Sequence, residues 1–256
     1  MALSFCAVIP VYNHHKKIAQ VVEKIRQEGL FVILIDDGSE RFCADVLNTI
    51  AETSGVTLVR LEKNSGKGVA VCRGLYEAHK LGFTHALQVD ADGQHDLNDI
   101  PHFVALSELN PKAVISGARA YSAMPKGRSR GRRLTDFWVA VNSLSLQLKD
   151  SMCGYRMYPL AQTLQLLDRR NVGARMDFDT DMLVRLYWQG CDVINLATNI
   201  RYANEIPSHF NLVKDNVRIV WMHIKLFGGM LVRSPRLLIR KPYDARIPDN
   251  SSITLL

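Results

Sequence analysis

The stretch Phe5-Cys-Ala-Val-Ile-Pro-Val11 is a short apolar run rich in β-branched residues, and apolar residues at helical spacing follow it over His14–Glu28. Phe31–Ile35 is a second apolar run, and Val56–Leu61 is a third. Strands buried on both faces of a parallel sheet have such continuous apolar sequences, and helices join them. The alternation therefore predicts an α/β fold with an open, mostly parallel sheet that helices cover on both faces.

The same alternation continues outward from this stretch as far as residue 116. We expect two further strands, at Ala86–Val89 and Ala113–Ser116. Helices are predicted around Val46–Ile50 and over Gly68–Leu81 and Ile100–Leu109. Strands that alternate with helical segments of about 10–15 residues are typical of a parallel sheet, which supports the same fold class.

After residue 120 the alternation stops. Tyr121–Arg133 holds one proline, two glycines and five basic residues without an acid, and we predict a loop there. Helices are expected over Leu134–Leu148 and Phe178–Gln189, and a late strand over Cys191–Ile200. The segment from 211 to 238 is basic and apolar and has helical spacing.

The second half of the chain is more basic than the first. The net charge is +7 overall, but residues 1–111 carry ten Lys and Arg against fourteen Asp and Glu, whereas residues 112–256 carry twenty-two against eleven. We predict a ligand-binding domain over residues 1–210 and a basic, amphipathic, helical extension over residues 211–256. The charge favours an anionic partner for the second half, although a solvated surface has the same composition.

The overall composition restricts the class of protein. With 47% hydrophobic and 22% charged residues, the 256-residue chain is globular rather than disordered, collagenous or coiled-coil. Its five cysteines are odd in number and form no C-x-x-C pair, which argues against a disulfide framework or zinc ribbon and suits a reducing compartment. We recognise no signal peptide and no spanning segment, and expect a cytoplasmic protein.

Polar, turn-forming residues follow each of the first four predicted strands. In an open parallel sheet, ligands bind outside the carboxyl ends of the strands. Because these ends meet at one edge, four polar clusters together predict a binding site there. The clusters are Pro10 with Tyr12 and Asn13, Asp36 to Ser39, Asn64 to Gly68, and Asp90 to His95.

Asp90-Ala91-Asp92 is the most informative of these clusters. Carboxylates two residues apart point to opposite faces of a strand, so they converge only if the chain turns after Asp90, which Gly93 permits. Such a pair suits Mg²⁺ or Mn²⁺, which take one or two carboxylates and complete their shell with water and substrate phosphates. Gln94 or His95 would add a ligand. A solvated acidic turn is the alternative, but the position directly after a buried strand favours a metal site.

Several common enzyme motifs are missing from the sequence. Asn64-Ser-Gly-Lys-Gly68 lacks the spacing of a Walker phosphate loop, although Lys67 near a helix N-terminus can still neutralise a diphosphate. No G-x-G-x-x-G follows the first strand, and neither G-x-S-x-G nor H-E-x-x-H occurs. A Walker-type NTPase, an NAD enzyme and the common hydrolases are therefore disfavoured.

Four segments stand in an order and spacing that point to a family. They are Val8-Ile-Pro-Val-Tyr-Asn13, Ile35-Asp-Asp-Gly-Ser39, Asn64-Ser-Gly-Lys-Gly68 and Val89-Asp-Ala-Asp-Gly-Gln-His95. Together they resemble the family 2 inverting glycosyltransferases of GT-A fold, most closely the polyprenyl-phosphate (dolichyl-phosphate) hexose synthases. The segments 150–156 and 178–185 extend the resemblance, which implies that residues 1–210 are a nucleotide-sugar-binding catalytic domain.

The resemblance also implies roles for individual residues. Nucleotide-sugar binding is implied for Pro10, Tyr12, Asn13, Asp36, Asp37, Lys67 and Asp90. A divalent metal on the sugar diphosphate is implied for Asp90, Asp92 and Gln94. Binding of an anionic acceptor is implied for Arg119, Arg156 and one or more of Arg128, Arg130, Arg132 and Arg133. His14 stands where many relatives have an acid, which leaves the nucleobase open.

The implied reaction is in-line attack of an acceptor oxygen on the anomeric carbon of a UDP- or GDP-sugar, with inversion and loss of a nucleoside diphosphate. A phosphate monoester is already ionised at pH 7 and needs no base, whereas a sugar hydroxyl needs one. Asp179 or Asp181, at the start of a predicted helix, is the candidate catalytic base. A helix N-terminal acid without a catalytic role is the alternative.

The basic second half suggests where the acceptor resides. Val217–Arg240 mixes Trp221 and other apolar residues with five arginines and lysines, which suits a helix at a membrane interface or one packed on the core. We expect a peripheral enzyme on the cytoplasmic face of a membrane, with a lipid-linked or glycolipid acceptor and an anionic membrane surface as partners.

Two rival functions stay open at this point. A nucleotidyltransferase would use the same nucleotide-and-metal sheet edge but would transfer the nucleotidyl group. A nucleotide-binding module with a basic arm for nucleic acid would have no catalytic metal site. The basic segment Lys126–Arg133 lacks interleaved aromatics, so we expect no nucleic-acid partner.

Overall fold

A seven-stranded sheet forms the centre of the computed structural model, which describes residues 2–119, 126–199, 212–248 and 253–256. Its strands are β1 (Phe5–Val11), β2 (Phe31–Asp36), β3 (Val56–Arg60), β4 (His85–Gln88), β5 (Val114–Arg119), β6 (Arg156–Pro159) and β7 (Val193–Thr198). Their order is β3-β2-β1-β4-β6-β5-β7, and all neighbours are parallel except the two pairs that contain β6. The predicted mostly parallel α/β sheet is confirmed.

Within the same ranges the chain forms eight α-helices on the two faces of the sheet. They are α1 (His15–Gln27), α2 (Arg41–Ala51), α3 (Lys67–Lys80), α4 (Ile100–Leu109), α5 (Lys126–Ser143), α6 (Leu160–Leu167), α7 (Phe178–Gln189) and α8 (Leu212–Leu238). None of the helices in the described ranges combines the length and the low charge that a membrane span requires.

Side chains of β1 alternate between two apolar clusters, one on each face of the sheet. Cys6 and Val8 pack into the cluster covered by α3, α6, α7 and α8. Ala7, Ile9 and Val11 pack into the cluster covered by α1, α2 and α4. Burial on both faces explains why β1 is apolar at nearly every position, and it confirms that helices cover both faces.

The structure corrects the predicted loop at Tyr121–Arg133. Residues 120–125 lie outside the described ranges, but α5 begins at Lys126 and includes the basic residues that follow. Lysine and arginine are favourable helix residues, and a helix tolerates isolated glycines at a cost of about 1 kcal/mol each relative to alanine, so the two glycines of this segment do not end the helix. The same helix ends at Ser143, before the predicted Leu148, because Leu144 has a φ of 49°.

Two elements are absent from the sequence prediction. Strand β6 has only four residues, and it begins at Arg156, so no apolar run marks it. It runs antiparallel between β4 and β5 and thereby separates two parallel groups of strands. Helix α6 follows directly after Pro159, without a loop that would mark the boundary.

The C-terminal part packs on the sheet region. Met222, Leu226 and Met230 of α8 are buried in the cluster that also contains α7. Beyond α8, the amide of Ala197 in β7 donates to the carbonyl of Thr254 at 2.8 Å, so the chain end lies along the outer edge of β7. The predicted division at residue 210 falls outside the described residues and stays a prediction.

Candidate active site

Strands β1, β2 and β4 end at the same edge of the sheet, and the polar clusters follow them there. Val11 pairs with Asp36 in register, and the amide of Asp37 donates to the carbonyl of Val11 at 2.8 Å. Half-buried Pro10 and Tyr12 lie at this end of β1. The predicted nucleotide-binding residues of the first two clusters are therefore brought together.

Asn13 joins the first cluster to the second. Its backbone has a φ of 55°, a left-handed conformation that asparagine tolerates better than most residues. Its backbone amide donates to the hydroxyl oxygen of Ser39 at 3.0 Å, and its side-chain Oδ1 accepts from the backbone amide of Glu40 at 2.8 Å. These bonds hold the turns after β1 and β2 against each other.

The carboxylates of Asp36 and Asp37 organise the surrounding backbone. Asp36 is fully buried and accepts from the Ser39 amide at 2.8 Å and from Nε of Arg60 at 2.7 Å. Asp37 accepts from the amides of Ser65 and Gly66 at 2.7 and 2.8 Å. Burial raises the pKa of Asp37, and these two hydrogen bonds act in the opposite direction. Asp37 therefore fixes the loop that precedes Lys67.

Lys67 is the centre of the site. Its Nζ lies 2.8 Å from Oδ1 of Asp90 and 3.0 Å from Oδ2 of Asp179, so one ammonium bridges two carboxylates. Burial alone would lower the pKa of Lys67, but the two carboxylates outweigh it and raise that pKa. Burial alone would raise the pKa of Asp90, but Lys67 and His95 outweigh burial and lower that pKa. Both groups are charged.

Gly154 makes the central position of Lys67 sterically allowed. A Cβ at residue 154 would lie 2.7 Å from Nζ of Lys67, 2.7 Å from Nε2 of Gln88 and 3.1 Å from Oδ1 of Asp90. Real Cβ atoms do not approach other heavy atoms so closely, and glycine is the residue that permits such an approach. The segment after Asp150 thus closes over the ammonium.

Asp90 and Asp92, the predicted metal ligands, lie close enough to influence each other. Burial and the charge of Asp90 raise the pKa of Asp92, and Oδ1 of Asp92 accepts from the amide of Gln94 at 3.0 Å. Oδ2 of Asp90 lies 3.3 Å from Nε2 of His95, whose ring stacks on Tyr155 with 4.7 Å between centroids.

This donor set fits a divalent cation that is shared with a ligand. Within the described ranges, no three His, Cys, Asp or Glu side chains are grouped so as to hold a metal ion by themselves. Burial and repulsion from the Asp90 carboxylate raise the pKa of Asp92. A bound cation would relieve that repulsion. Mg²⁺ and Mn²⁺ accept such partial protein ligation when phosphate oxygens complete the shell. Gln94 is half-buried, and its predicted role as a ligand stays a prediction.

The structure separates the two candidate bases. Asp179 reaches the centre of the site, where Oδ1 accepts from Nε2 of Gln88 at 2.9 Å while Oδ2 faces Lys67. Asp181 instead pairs with Nε of Arg185 at 2.6 Å and accepts from the amide of Gly173 at 2.9 Å. Burial raises the pKa of Asp181 against the influence of Arg185. Asp179 therefore contacts Lys67, whereas Asp181 holds the segment before α7.

Two arginines converge on one buried carboxylate at the end of β5. Asp150 is 2% exposed. Nη2 of Arg119 donates to Oδ1 of Asp150 at 2.6 Å, and Nε of Arg119 donates to Oδ2. Nη1 of Arg132 lies 3.1 Å from the same Oδ1. Of the other predicted acceptor residues, Arg133 is exposed, and the side chain of Arg130 lies outside the described part of the chain.

Arg156 requires a correction. We expected it to bind an acceptor, but its side chain is fully buried and its five N–H groups are all engaged by protein oxygens. Those acceptors are the hydroxyls of Ser116 and Tyr158 and the carbonyls of Ser151, Cys153 and Asp179. No N–H group is left for an acceptor. Arg156 instead joins the segment 151–153 to the first turn of α7, and so positions Asp179.

Sequence reasoning also missed residues that complete the site. Gln88 orients Asp179, and Nη1 of Arg175 donates to Oδ1 of Asn64 at 2.9 Å. The positive charge of Arg175 lowers the pKa of Asp37 against the larger effect of burial. Gln88 carries a sequence signal, since it is a polar residue inside an apolar strand directly before the acidic cluster. Arg175 has no comparable signal, because it reaches the loop from 111 residues away.

Comparison with known proteins agrees with this geometry. The sequence model described as Glycosyl transferase family 2 matches residues 6–171. An uncharacterised protein of Methanocaldococcus jannaschii is 25% identical over 81% of this chain and 93% of its own. A dolichyl-phosphate beta-glucosyltransferase of Dictyostelium discoideum is 24% identical over 85% of this chain and 74% of its own.

A solved structure supports the fold. Glucosyl-3-phosphoglycerate synthase of Mycobacterium tuberculosis, crystallised with Mn²⁺, uridine diphosphate and phosphoglyceric acid, superposes with a TM-score of 0.66. The two chains are 14% identical, and the superposition covers 100% of this chain and 86% of the other. At this identity the likeness concerns the fold alone, and it confirms the predicted GT-A architecture.

Proposed function

The chain belongs to glycosyl transferase family 2, and we propose that it transfers a sugar from a UDP- or GDP-sugar to a lipid-linked phosphate acceptor, with inversion at the anomeric carbon. It is a glycosyltransferase of GT-A fold. The observation that carries the proposal is the bridge from Lys67 to Asp90 and Asp179 at the carboxyl ends of β1, β2 and β4. An ammonium group that can bind a diphosphate and carboxylates that can bind a metal ion lie together there.

The donor would lie along this sheet edge. Asp36, Asp37 and Asn13 build the turns that surround the nucleotide, and Pro10 and Tyr12 lie beside them at the end of β1. Lys67 offers a positive charge to the diphosphate. Asp90 and Asp92 would hold Mg²⁺ or Mn²⁺, which when bound supplies Lewis-acid stabilisation of the charge that develops on the leaving diphosphate.

The acceptor would approach from the side of Arg119 and Arg132. These two guanidinium groups share the single carboxylate of Asp150, so the cluster has a net positive charge and suits a phosphate. A phosphate monoester has a second pKa of about 6 and is already a nucleophile at neutral pH. With that acceptor, Asp179 would orient Lys67. With a hydroxyl acceptor, Asp179 would be the base, and its contact with Lys67 favours it over Asp181.

The type of acceptor also suggests where the reaction takes place. The relative from Dictyostelium discoideum is named for dolichyl phosphate, a lipid-linked phosphate. An enzyme that uses such an acceptor must meet it at a bilayer. We therefore place the protein as a peripheral enzyme on the cytoplasmic face of a membrane, with residues 211–256 as the part of the chain suited to that contact.

The proposal can be tested with purified protein. Thermal shifts with UDP- and GDP-sugars, with and without Mn²⁺, identify the donor, because a ligand of the native state raises its stability. In a transfer assay with a polyprenyl phosphate, Asp92→Asn is expected to lower turnover by about a thousandfold, the scale of losing a group that stabilises transition-state charge. Asp45→Asn, on the exposed surface of α2, is the matched control.

The same assay distinguishes the rival functions. Phosphorus NMR of the product shows whether the sugar or the nucleotidyl group was transferred, and nucleotidyl transfer would refute the proposal. Full turnover by Asp92→Asn would equally contradict it, since a carboxylate that holds the metal on the donor cannot be replaced by an amide without loss.

A further inference from the structure

Helix α8 carries a ridge of exposed apolar side chains from residue 213 to residue 231. Val213, Val217, Val220, Ile224 and Leu231 recur at steps of three, four or seven residues and are between 54% and 73% exposed. Residues at this spacing lie on one side of a helix. At about 1.5 Å per residue the ridge is about 27 Å long, far larger than a single exposed side chain.

Aromatic residues widen this ridge into a face. Trp221 is 56% exposed beside it. On the neighbouring helix α5, Leu134, Phe137 and Trp138 are exposed, and the Trp138 ring lies 6.4 Å from the ring of His223 in α8. Helices α5 and α8 therefore lie side by side, and each carries exposed apolar side chains. We call this surface the apolar face of α5 and α8.

The opposite side of α8 is fixed in the core. Met222, Leu226 and Met230 are at most 5% exposed and pack with α7. Because this buried side anchors the helix, the exposed ridge is a feature of the folded chain. Within the described ranges, no other segment covers it.

Every exposed charge of α8 is positive. Lys214, Arg218, Lys225 and Arg236 are exposed, whereas Asp215, the one acid of the helix, is 4% exposed and accepts from Nη1 of Arg218 at 3.0 Å. The four basic residues follow one another at helical spacing along one flank of the ridge. Apolar and aromatic groups bordered by basic groups match an anionic bilayer, with acyl chains below and phosphates beside them.

We propose that the apolar face of α5 and α8 is the surface by which this enzyme docks on an anionic lipid bilayer. The inference rests on the proposed function, since it names the partner of the acceptor side of the active site. A second copy of the chain fits this face less well. In an antiparallel two-fold pairing of α8 with itself, the basic flanks of the two copies would lie side by side and repel.

The face is connected to the acceptor side of the site. Helix α5 contributes Leu134 and Phe137 to the face, and two residues before Leu134 it contributes Arg132 to the Asp150 carboxylate. Docking on this face and acceptor binding are thus properties of one helix.

The test is co-sedimentation of the full chain with vesicles of phosphatidylglycerol and phosphatidylcholine, compared with pure phosphatidylcholine. The wild-type chain is expected to bind the anionic vesicles more tightly, and less so at high salt. Ile224→Asp and Val217→Asp are each expected to weaken binding by about tenfold or more, because each places a charge in the acyl region. Phe42→Asp, at a site 66% exposed on α2, is the matched control and should bind as the wild type does.

Charge is tested separately from apolar contact. Lys225→Gln is expected to weaken binding to anionic vesicles by about fivefold and to leave binding to neutral vesicles unchanged. Arg41→Gln, 97% exposed on α2, should change neither. Equal binding by wild type and Ile224→Asp would overturn the proposal. So would a stable dimer, seen by sedimentation velocity without lipid, that Ile224→Asp abolishes.

Nucleotide-sugar binding, measured by thermal shift in the absence of vesicles, separates this inference from the proposed function. A chain that binds the donor but not the vesicles would refute the docking face alone. A chain that binds vesicles through this face but no nucleotide sugar would refute the proposed function and leave the lipid surface in place.

Discussion

The proposed active site has a donor side at the sheet edge and an acceptor side around Asp150, and the two sides hold their charges in different ways. On the donor side, Asp36 accepts from the backbone amide of Ser39 in the same turn, and Asp37 accepts from the backbone amides of Ser65 and Gly66 in the loop after β3. On the acceptor side, Arg119 and Arg132 depend on one distant carboxylate, that of Asp150, and Arg156 depends on carbonyls from two other segments. Donor-side carboxylates are therefore held largely by backbone amides at the ends of adjacent strands, and acceptor-side guanidinium groups by a carboxylate and by carbonyls from several segments.

Lys67 lies at the junction of the two sides. It begins α3 on the donor side, yet its ammonium is held by Asp179 of α7 as well as by Asp90. This contact couples the donor loop to the part of the chain that faces the acceptor. Changes that move Lys67 should therefore affect catalysis more than changes confined to either side.

The largest effect in this comparison is expected from Gly154→Ala. The new Cβ would displace the ammonium of Lys67 from Asp90 and Asp179, and a misplacement of about 1 Å in an active site can cost about a hundredfold in rate. Because Nζ is the end of a flexible side chain, the loss of stability should be small. We expect kcat to fall by about a hundredfold in the transfer assay, with the thermal midpoint nearly unchanged.

Gly131→Ala is the control for that experiment. Position 131 lies in α5, and a Cβ there meets no atom within 4 Å. Its turnover should match that of the wild type. Unchanged turnover in Gly154→Ala would show that the position of Lys67 is not critical and that donor and acceptor sides are not coupled through it.

A smaller and different effect is expected from Asp150→Asn, which acts on the acceptor side alone. Removing this carboxylate breaks its ion pair with Arg119, which is 9% exposed, and loss of one member of a buried ion pair costs about 3 kcal/mol. Chemical denaturation measures this cost. Affinity for the nucleotide sugar should be unchanged in the folded variant, because Asp150 has no contact with Lys67 or Asp90 among its described bonds.

Asp192→Asn provides the comparison for Asp150→Asn. Asp192 also pairs with an arginine, Arg240, at 2.8 Å, but its side chain is 31% exposed. A solvated pair contributes about 0–1 kcal/mol, so the free energy of unfolding should change by less than 1 kcal/mol. Equal losses in the two variants would mean that burial does not distinguish the acceptor-side cluster from a surface ion pair.

The same contrast explains what the sequence could predict. The sheet, its first four strands and the edge where Asp90, Lys67 and Asp37 meet were predictable, because each strand and the turn after it form a continuous segment. Arg156 was misassigned because two of its partners, Ser116 and Asp179, come from distant segments, and the antiparallel insertion of β6 beside β5 that brings Ser116 near it was not predicted. The choice between Asp179 and Asp181 was likewise open in the sequence, since both stand in the first turn of α7.

The smallest effect concerns the contact between the two helices that flank the acceptor side. His223 of α8 is buried, its Nδ1 lies 3.1 Å from the Asn142 amide of α5, and its Nε2 has no partner among the described residues. Burial lowers the pKa of His223 to about 4, below the ordinary value of about 6.5. Above pH 6.5 the ring is neutral in both the folded and the unfolded chain. As the pH falls from 6.5 towards 4, only the unfolded chain takes up the proton, so stability is lost in this window. Because the ring is not fully shielded from water, we expect the loss to be about 1–2 kcal/mol.

Denaturation of His223→Gln across this window should show a correspondingly weaker pH dependence, whereas His79→Gln, exposed on α3, should follow the wild type. If the free energy of unfolding depends on pH in the same way in the wild type and in His223→Gln, the contact between α5 and α8 does not depend on a neutral His223 ring.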